Sequence, residues 1–203
     1  MARPREFDVH EAIRIATALF WRKGYDGTSL TDLEKAIGIK TPSFYAAFGS
    51  KEGLFKKVLA HYQENHLQYF AEALSAPTAK EVAEKLLFGL ADAHSSSKHP
   101  PGCLALNCSL PVAGSGDPVR LELAKLRERT RAEVTKRFRK AKAEGDLPEN
   151  AHPEGLARYI LVVGYGMAVE AQSGATGKDL HRIAETAMEA FSQFNKHSAA
   201  RKK

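Results

Sequence analysis

The run from Ile39 to Phe55, IKTPSFYAAFGSKEGLF, concentrates side chains suited to holding an anion. Thr41, Ser43 and Tyr45 bring hydroxyls close together in the chain, and Lys51 opens the segment that follows. Hydroxyls at such positions donate to phosphate oxygens, the contacts that fix register on a duplex. Pro42 and Ala46 offer small apolar surfaces of the kind that meets a thymine methyl. Phe44 and Phe48 stand four apart and share the inward face of a helix. Lys51 is the most telling residue, because a cation in the first turn opposes the helix macrodipole. A bound phosphate would reverse that sign by meeting the free N–H groups and the ammonium together. The alternative is a lysine whose charge snorkels into water. No Ser/His/Asp arrangement, glycine-rich phosphate loop or paired-carboxylate motif accompanies these residues, so the chemistry expected is recognition and not catalysis.

Such a surface needs rigid elements behind it. Apolar residues recur at three and four throughout, and no strand pattern or internal repeat is visible, which predicts an all-α chain of about nine helices. The first opens at DVHE, with Asp8 as cap and Glu11 reaching back in a capping box. Val9, Ile13, Ala16 and Phe20 follow on one face, and Gly24 stops it. TSLTDLEKAIG predicts a helix of about two turns, capped by Ser29, boxed by Asp32 and ended by Gly38. Thr41 is the expected cap of the next, with Pro42 at its first position. Ser50 then caps a long helix continuing to about Leu74. Further helices are predicted to about His94, over Cys103–Leu110, and over roughly 118–144, 153–173 and 177–195.

Three helices within the first fifty residues, the second and third short and joined by GIK, fit a helix-turn-helix whose third helix enters the major groove. Residues 5–55 closely resemble the DNA-binding domain of the TetR family of bacterial transcriptional regulators, on the pattern A…LF…GY.GTSL.DL…IGI…..SFY..F.SKE.LF. The resemblance implies that Thr28 and Ser29 contact phosphate at the start of the second helix. It also implies that Lys40, Thr41, Pro42 and Ser43 lead the recognition helix, that Tyr45 binds phosphate, and that Lys51 clamps it. Glu34 departs from the family's usual small residue, and Ala46–Ala47 replace a common aromatic or His pair.

The resemblance further implies a C-terminal helical domain that binds a small ligand and dimerises through its last two helices. The expected division is 5–65 for DNA and 66–203 for ligand and dimer. Leu180, Ile183, Ala187, Met188, Phe191 and Phe194 form one apolar stripe, and the preceding helix is apolar nearly all round, so it must be buried on both sides. Tyr159, Val163, Gly166, Met167, Ile183, Ala187, Phe191 and Phe194 are the expected dimer residues. A two-fold dimer matches a palindromic operator with half-sites about one DNA turn apart, or a multiple of it. Pocket candidates are residues polar or polarisable within apolar stretches: Tyr62, His66, Asn107, Cys108, Tyr159, Tyr165 and Gln172. The small-molecule inducer itself is not legible.

Cys103 and Cys108, near His94 and His99, invite a zinc or redox reading. Zinc would want four ligands at tighter spacing, and no metal or other cofactor is expected. Gly102–Cys103–Leu104 also recurs in TetR-like C-terminal domains, some of which sense electrophiles, so thiol sensing through Cys103 or Cys108 stands as an alternative to reversible ligand binding.

The charge agrees with this division. Of a net +6, the first 57 residues hold +3, residues 58–200 balance, and the terminal RKK supplies the rest. A basic end on a neutral body is the footprint of phosphate docking. The N-terminus is charged and then amphipathic, unlike a signal peptide. YILVVGYGMAV is too short to span a bilayer. Two cysteines without an export signal predict a reducing compartment, the cytoplasm.

Overall fold

The computed structural model describes residues 7–109 and 118–200, with residues 194–200 described by their backbone alone. The described residues are all helix, turn or loop: α1 (Val9–Lys23), α2 (Leu30–Ile37), α3 (Thr41–Phe48), α4 (Lys51–His66), α5 (Gln68–Leu74), α6 (Ala79–Ser95), α7 (Leu104–Asn107), α8 (Pro118–Ala143), α9 (Pro153–Gln172) and α10 (Gly177–Ala200). The tenth helix arises because the long helix expected to reach Leu74 is interrupted at Leu67, whose φ of −115° and ψ of 18° leave the helical region. No glycine or proline marks this break. His66 stacks on Tyr62 before it, whereas Phe70 and Ala73 after it serve a different core.

The chain forms two compact units. One comprises the residues up to His66 with those between Leu104 and Leu123; the other comprises Leu67 to Cys103 with the residues from Ala124 onward. Sequence patterning drew a single boundary near residue 65, but the first unit is discontinuous. Its later segment is tied to α1: the Asn107 amide Nδ2 donates to the Trp21 carbonyl at 2.8 Å, and the Cys108 thiol donates to the Phe20 carbonyl at 3.6 Å. Gly24, with φ +73°, lets the Asn107 carbonyl approach to 3.2 Å of where a Cβ would stand.

In the first unit α1 buries Ala12, Ala16, Thr17, Phe20 and Trp21. Val9 stays 38% exposed, so the buried stripe begins later along the helix than expected. Asp8 caps α1 as predicted, accepting from the His10 and Glu11 N–H groups. Glu11 does not reach back; its carboxylate takes the Arg14 guanidinium at 2.5 and 2.7 Å, a stronger charge-assisted partner than an amide N–H. Leu33, Leu54, Phe55 and Val58 complete this core.

In the second unit α6, α9 and α10 surround Val82, Leu86, Leu87, Ile160, Met167, Leu180 and Phe191. Gly164 admits α6 closely, since a Cβ there would lie 2.6 Å from Leu90 Cδ1. Thr78 and Glu81 form a complete capping box on α6. The predicted helix from Cys103 is only the single turn of α7, and Leu110 lies outside the described residues.

Candidate nucleic-acid interface

The candidate surface is assembled by α2, the turn after it and α3. Ser29 accepts from the Asp32 N–H at 3.0 Å, while Asp32 accepts from the Ser29 N–H at 3.0 Å. Lys23 joins from the end of α1, with Nζ 3.0 Å from the same carboxylate. The Ser29 backbone N–H, then its hydroxyl and Lys23, hold the Asp32 carboxyl down at about 2. Gly38 ends α2 in the left-handed region at φ +79°, where a side chain would be strained, and returns its N–H to the Glu34 carbonyl at 2.9 Å. Glu34, the departure noted above, is half-buried, and its Oε1 is enclosed with no hydrogen-bond partner among the described residues.

Thr41 is the first residue of α3 and not its cap. Lys40 takes the N-cap position, and no side chain caps the helix. The opening turn therefore leaves amide donors for solvent or an anion, flanked by exposed Lys40, Thr41, Pro42 and Ser43. Behind them Phe44 is fully buried and Phe48 is 6% exposed, their rings edge-on at 5.3 Å. Tyr45, next along the helix, is 49% exposed, and Ala46 is exposed beside it. One helix thus carries a rigid aromatic back and a polar front.

Thr28 needs correction. Its side chain is fully buried, and its hydroxyl donates to the Gly24 carbonyl at 2.7 Å. It braces the turn before α2, and its hydroxyl is not presented to a ligand; Ser29 remains exposed. Lys51 has a neighbour that the sequence did not announce. Its ammonium lies 4.2 Å from the Tyr25 ring centroid, where the ring's negative face offsets the unfavourable helix dipole. Tyr25 is in turn stacked on Phe20 and edge-on to Phe55. The pattern GY.G contained Tyr25, but an aromatic of that kind reads as core until the fold places a lysine over it.

The pocket candidates divide between the two units. Tyr62 and His66 both meet Trp21 edge-on, at 5.0 and 5.1 Å. Asn107 and Cys108 are the tie to α1 already described. In the other unit the Tyr159 hydroxyl donates to the Ala187 carbonyl at 3.4 Å, Gln172 is exposed near the end of α9, and Tyr165 lines a cleft between α8 and α9. Cys103 is half-buried and Cys108 buried, both as thiols. His94 Nδ1 lies 3.2 Å from the Gly102 carbonyl, and burial lowers its pKa to about 4. Among the described residues no three or more His, Cys, Asp or Glu side chains gather as a metal site would require.

The expected dimer residues divide. Met167 and Phe191 are fully buried within the chain's own core and have no surface left for a partner, whereas Ala187, nearly buried, lies at the floor of a groove. Tyr159, Val163 and Ile183 line that shallow groove of about 360 Å³, and Gly166 is exposed. Val162 and Val169, not expected from the sequence, are 57% and 43% exposed on the same helix. The Phe194 side chain lies outside the described residues.

A short uncapped helix, held from behind by phenylalanines and reached through a glycine turn from a boxed helix, is a helix-turn-helix DNA-binding module. Sequence comparison agrees. Residues 12–58 match the profile of bacterial regulatory proteins of the tetR family, and residues 82–187 match the tetracyclin repressor-like C-terminal domain. The chain is similar to the HTH-type transcriptional repressor ComR of Escherichia coli, 32% identical with 96% of this chain and 93% of that one covered. A 60-residue stretch is 50% identical to the repressor BdcR of the same organism, covering 30% of each chain. Among solved structures, a cysteine-substituted TetR family regulator, CifR, complexed with 26-base-pair operator DNA superposes with a TM-score of 0.86 at 37% identity, covering 93% of this chain and 99% of that one. The chain belongs to the TetR family and is a DNA-binding transcriptional regulator. Among the described residues no helix is long and apolar enough to cross a membrane.

Proposed function

We propose that this regulator is a homodimeric cytoplasmic repressor, without enzymatic activity, that holds a palindromic operator through α3 and leaves it when a small molecule occupies the C-terminal unit. The single observation that carries the reading is the two-faced α3, with Phe44 fully buried and Tyr45 half exposed. Lys40, Thr41, Pro42, Ser43 and Ala46 form the groove-facing edge, while Ser29, Tyr45 and Lys51 take phosphates. The similar repressors and the operator complex of a relative at 37% identity support it. Dimerisation uses the outward apolar stripe of α9, Val162, Gly166 and Val169, with Tyr159, Val163 and Ile183 beside it. A ligand releases DNA by favouring a state whose recognition helices are wrongly spaced for adjacent half-sites. The test is a fluorescence anisotropy titration of fragments of the chain's own promoter at low salt. Saturable binding, abolished when Tyr45 and Lys51 are both replaced by alanine, is the expected result; no binding, or binding indifferent to those changes, defeats it.

A second reading, thiol sensing, narrows to Cys103. Cys108 is buried with its thiol directed to a backbone carbonyl, whereas Cys103 is half-buried. Cys103→Ser should keep DNA binding and lose any release by an electrophile; unaltered release rules the thiol out.

A further inference from the structure

In the second unit the seam between α6 and α10 opens into a groove that neither core packing nor the proposed dimer face accounts for. Glu84 lines it from α6, and Glu185 and Glu189 line it from α10, one turn apart. Like charges at that helical spacing oppose one another. None of the three carboxylates has an ion pair among the described residues, whereas Glu11, Glu52, Glu128 and Glu154 are each held by a cation of the chain. Lys80 is the one cation in the lining, so the groove is net negative in a chain whose net charge is +6. Its floor is apolar: Phe88 and Met188 are half-buried and packed on the core beneath them. Beyond Phe88 the two helices are fastened together. His181 meets that ring edge-on at 5.3 Å, and its Nε2 stands 2.7 Å from Asp92 Oδ1. At about 3.6 residues per turn, Ile183 stands on the opposite flank of α10 from Met188 and Ser192, so a partner seated on Tyr159, Val163 and Ile183 leaves this groove open.

We infer that this groove binds a small amphipathic organic cation, its charge among the three carboxylates and its apolar body on Phe88 and Met188. A cation near the Phe88 ring gains from the ring's negative face. The thioether of Met188 is soft and unbranched, and it adapts to irregular apolar shapes. The groove holds about 510 Å³, within the roughly 300–1,000 Å³ typical of small-molecule sites. Eight residues line it, against roughly 20–30 on each side of a stable protein interface, so it fits a small molecule and not a basic protein. An inorganic cation would meet the carboxylates but leave the apolar floor wet, forgoing the burial that an organic body supplies. The groove lies in the unit where the functional reading places a small molecule; any effect on DNA rests on that reading, whereas the binding does not.

Isothermal titration calorimetry on the full-length protein at low salt decides between these occupants, with benzyltrimethylammonium and hexyltrimethylammonium as probes. Benzyl alcohol is the control for charge, and tetramethylammonium is the control for the apolar body. Saturable binding of at least one probe is expected, with both controls weaker by roughly tenfold. The double variant Glu84→Gln/Glu189→Gln alters only exposed side chains and should weaken the probe by roughly tenfold, with its melting curve confirming the fold. No binding by either probe, benzyl alcohol or tetramethylammonium binding as well as the probes, or a folded double variant with undiminished affinity each overturns the assignment. Anisotropy with promoter DNA is read separately. If the protein ignores DNA the functional reading fails while calorimetry still judges the groove.

Discussion

Phe44 and Tyr45 are neighbours on α3, and replacing each should produce opposite phenotypes. Phe44 has no exposed surface and packs edge-on against Phe48. Phe44→Ala removes that anchor and leaves a cavity, a change that costs about 3–5 kcal/mol in well-packed cores. Against a domain stability of about 5–15 kcal/mol, the first unit should melt much earlier and DNA binding should disappear with it. Tyr45→Phe removes only an oxygen from a half-exposed ring. Stability should stay within about 0.5 kcal/mol. If the hydroxyl donates to a phosphate, the charge-assisted hydrogen bond it forfeits is worth about 1.5–3 kcal/mol, roughly tenfold or more in affinity per half-site. Thermal melts monitored by circular dichroism and anisotropy titrations at one fixed salt concentration measure the two effects. A Tyr45→Phe protein that binds DNA as tightly as the original, or a Phe44→Ala protein that melts and binds normally, would refute the assignment of the two faces.

Three further outcomes are expected. Lys51→Ala should weaken DNA binding and lower the slope of log affinity against log salt by about 1 for each phosphate no longer neutralised, and Tyr25→Leu should do the same more weakly because the ring positions the ammonium. His94 is held at about 4 by burial, below its ordinary 6.5, so it contributes stability fully above pH 6.5 and loses it as pH falls toward 4. That contribution is about 3 kcal/mol, and in urea melts His94→Gln should flatten the decline between about pH 7 and about pH 4. Gly102→Ala should lower the melting temperature by about 4–8 °C or more: φ is +82°, and the new Cβ would stand 2.8 Å from the Ala168 carbonyl oxygen.

Much of the first unit was legible because its signals are local. Ser29 with Asp32, Gly24, Gly38 and Ser50 act within a few residues of themselves, and the structure uses each as its neighbours in sequence demand. Phe44 and Phe48 declared an inward face by spacing alone. Glu11 escaped the same logic because Arg14 offered a better partner than the cap's own N–H. Thr28 looked like a phosphate ligand until a carbonyl four residues back claimed its hydroxyl. On α9, being apolar all round could not say which side faces the chain's own core; burial assigns Met167 inward and leaves Val162 outward.

By itself the sequence determined the all-helical class, several of the helix caps, the two faces of the third helix and the family. Those follow from interactions spanning one or two turns, where backbone geometry leaves few alternatives. Tertiary structure alone decided that Asn107 would secure α1 across 86 residues of chain, that Tyr25 would support Lys51, and that three carboxylates from two helices would share one groove. Each of these depends on which distant surfaces meet, and that is settled by the packing of the whole chain.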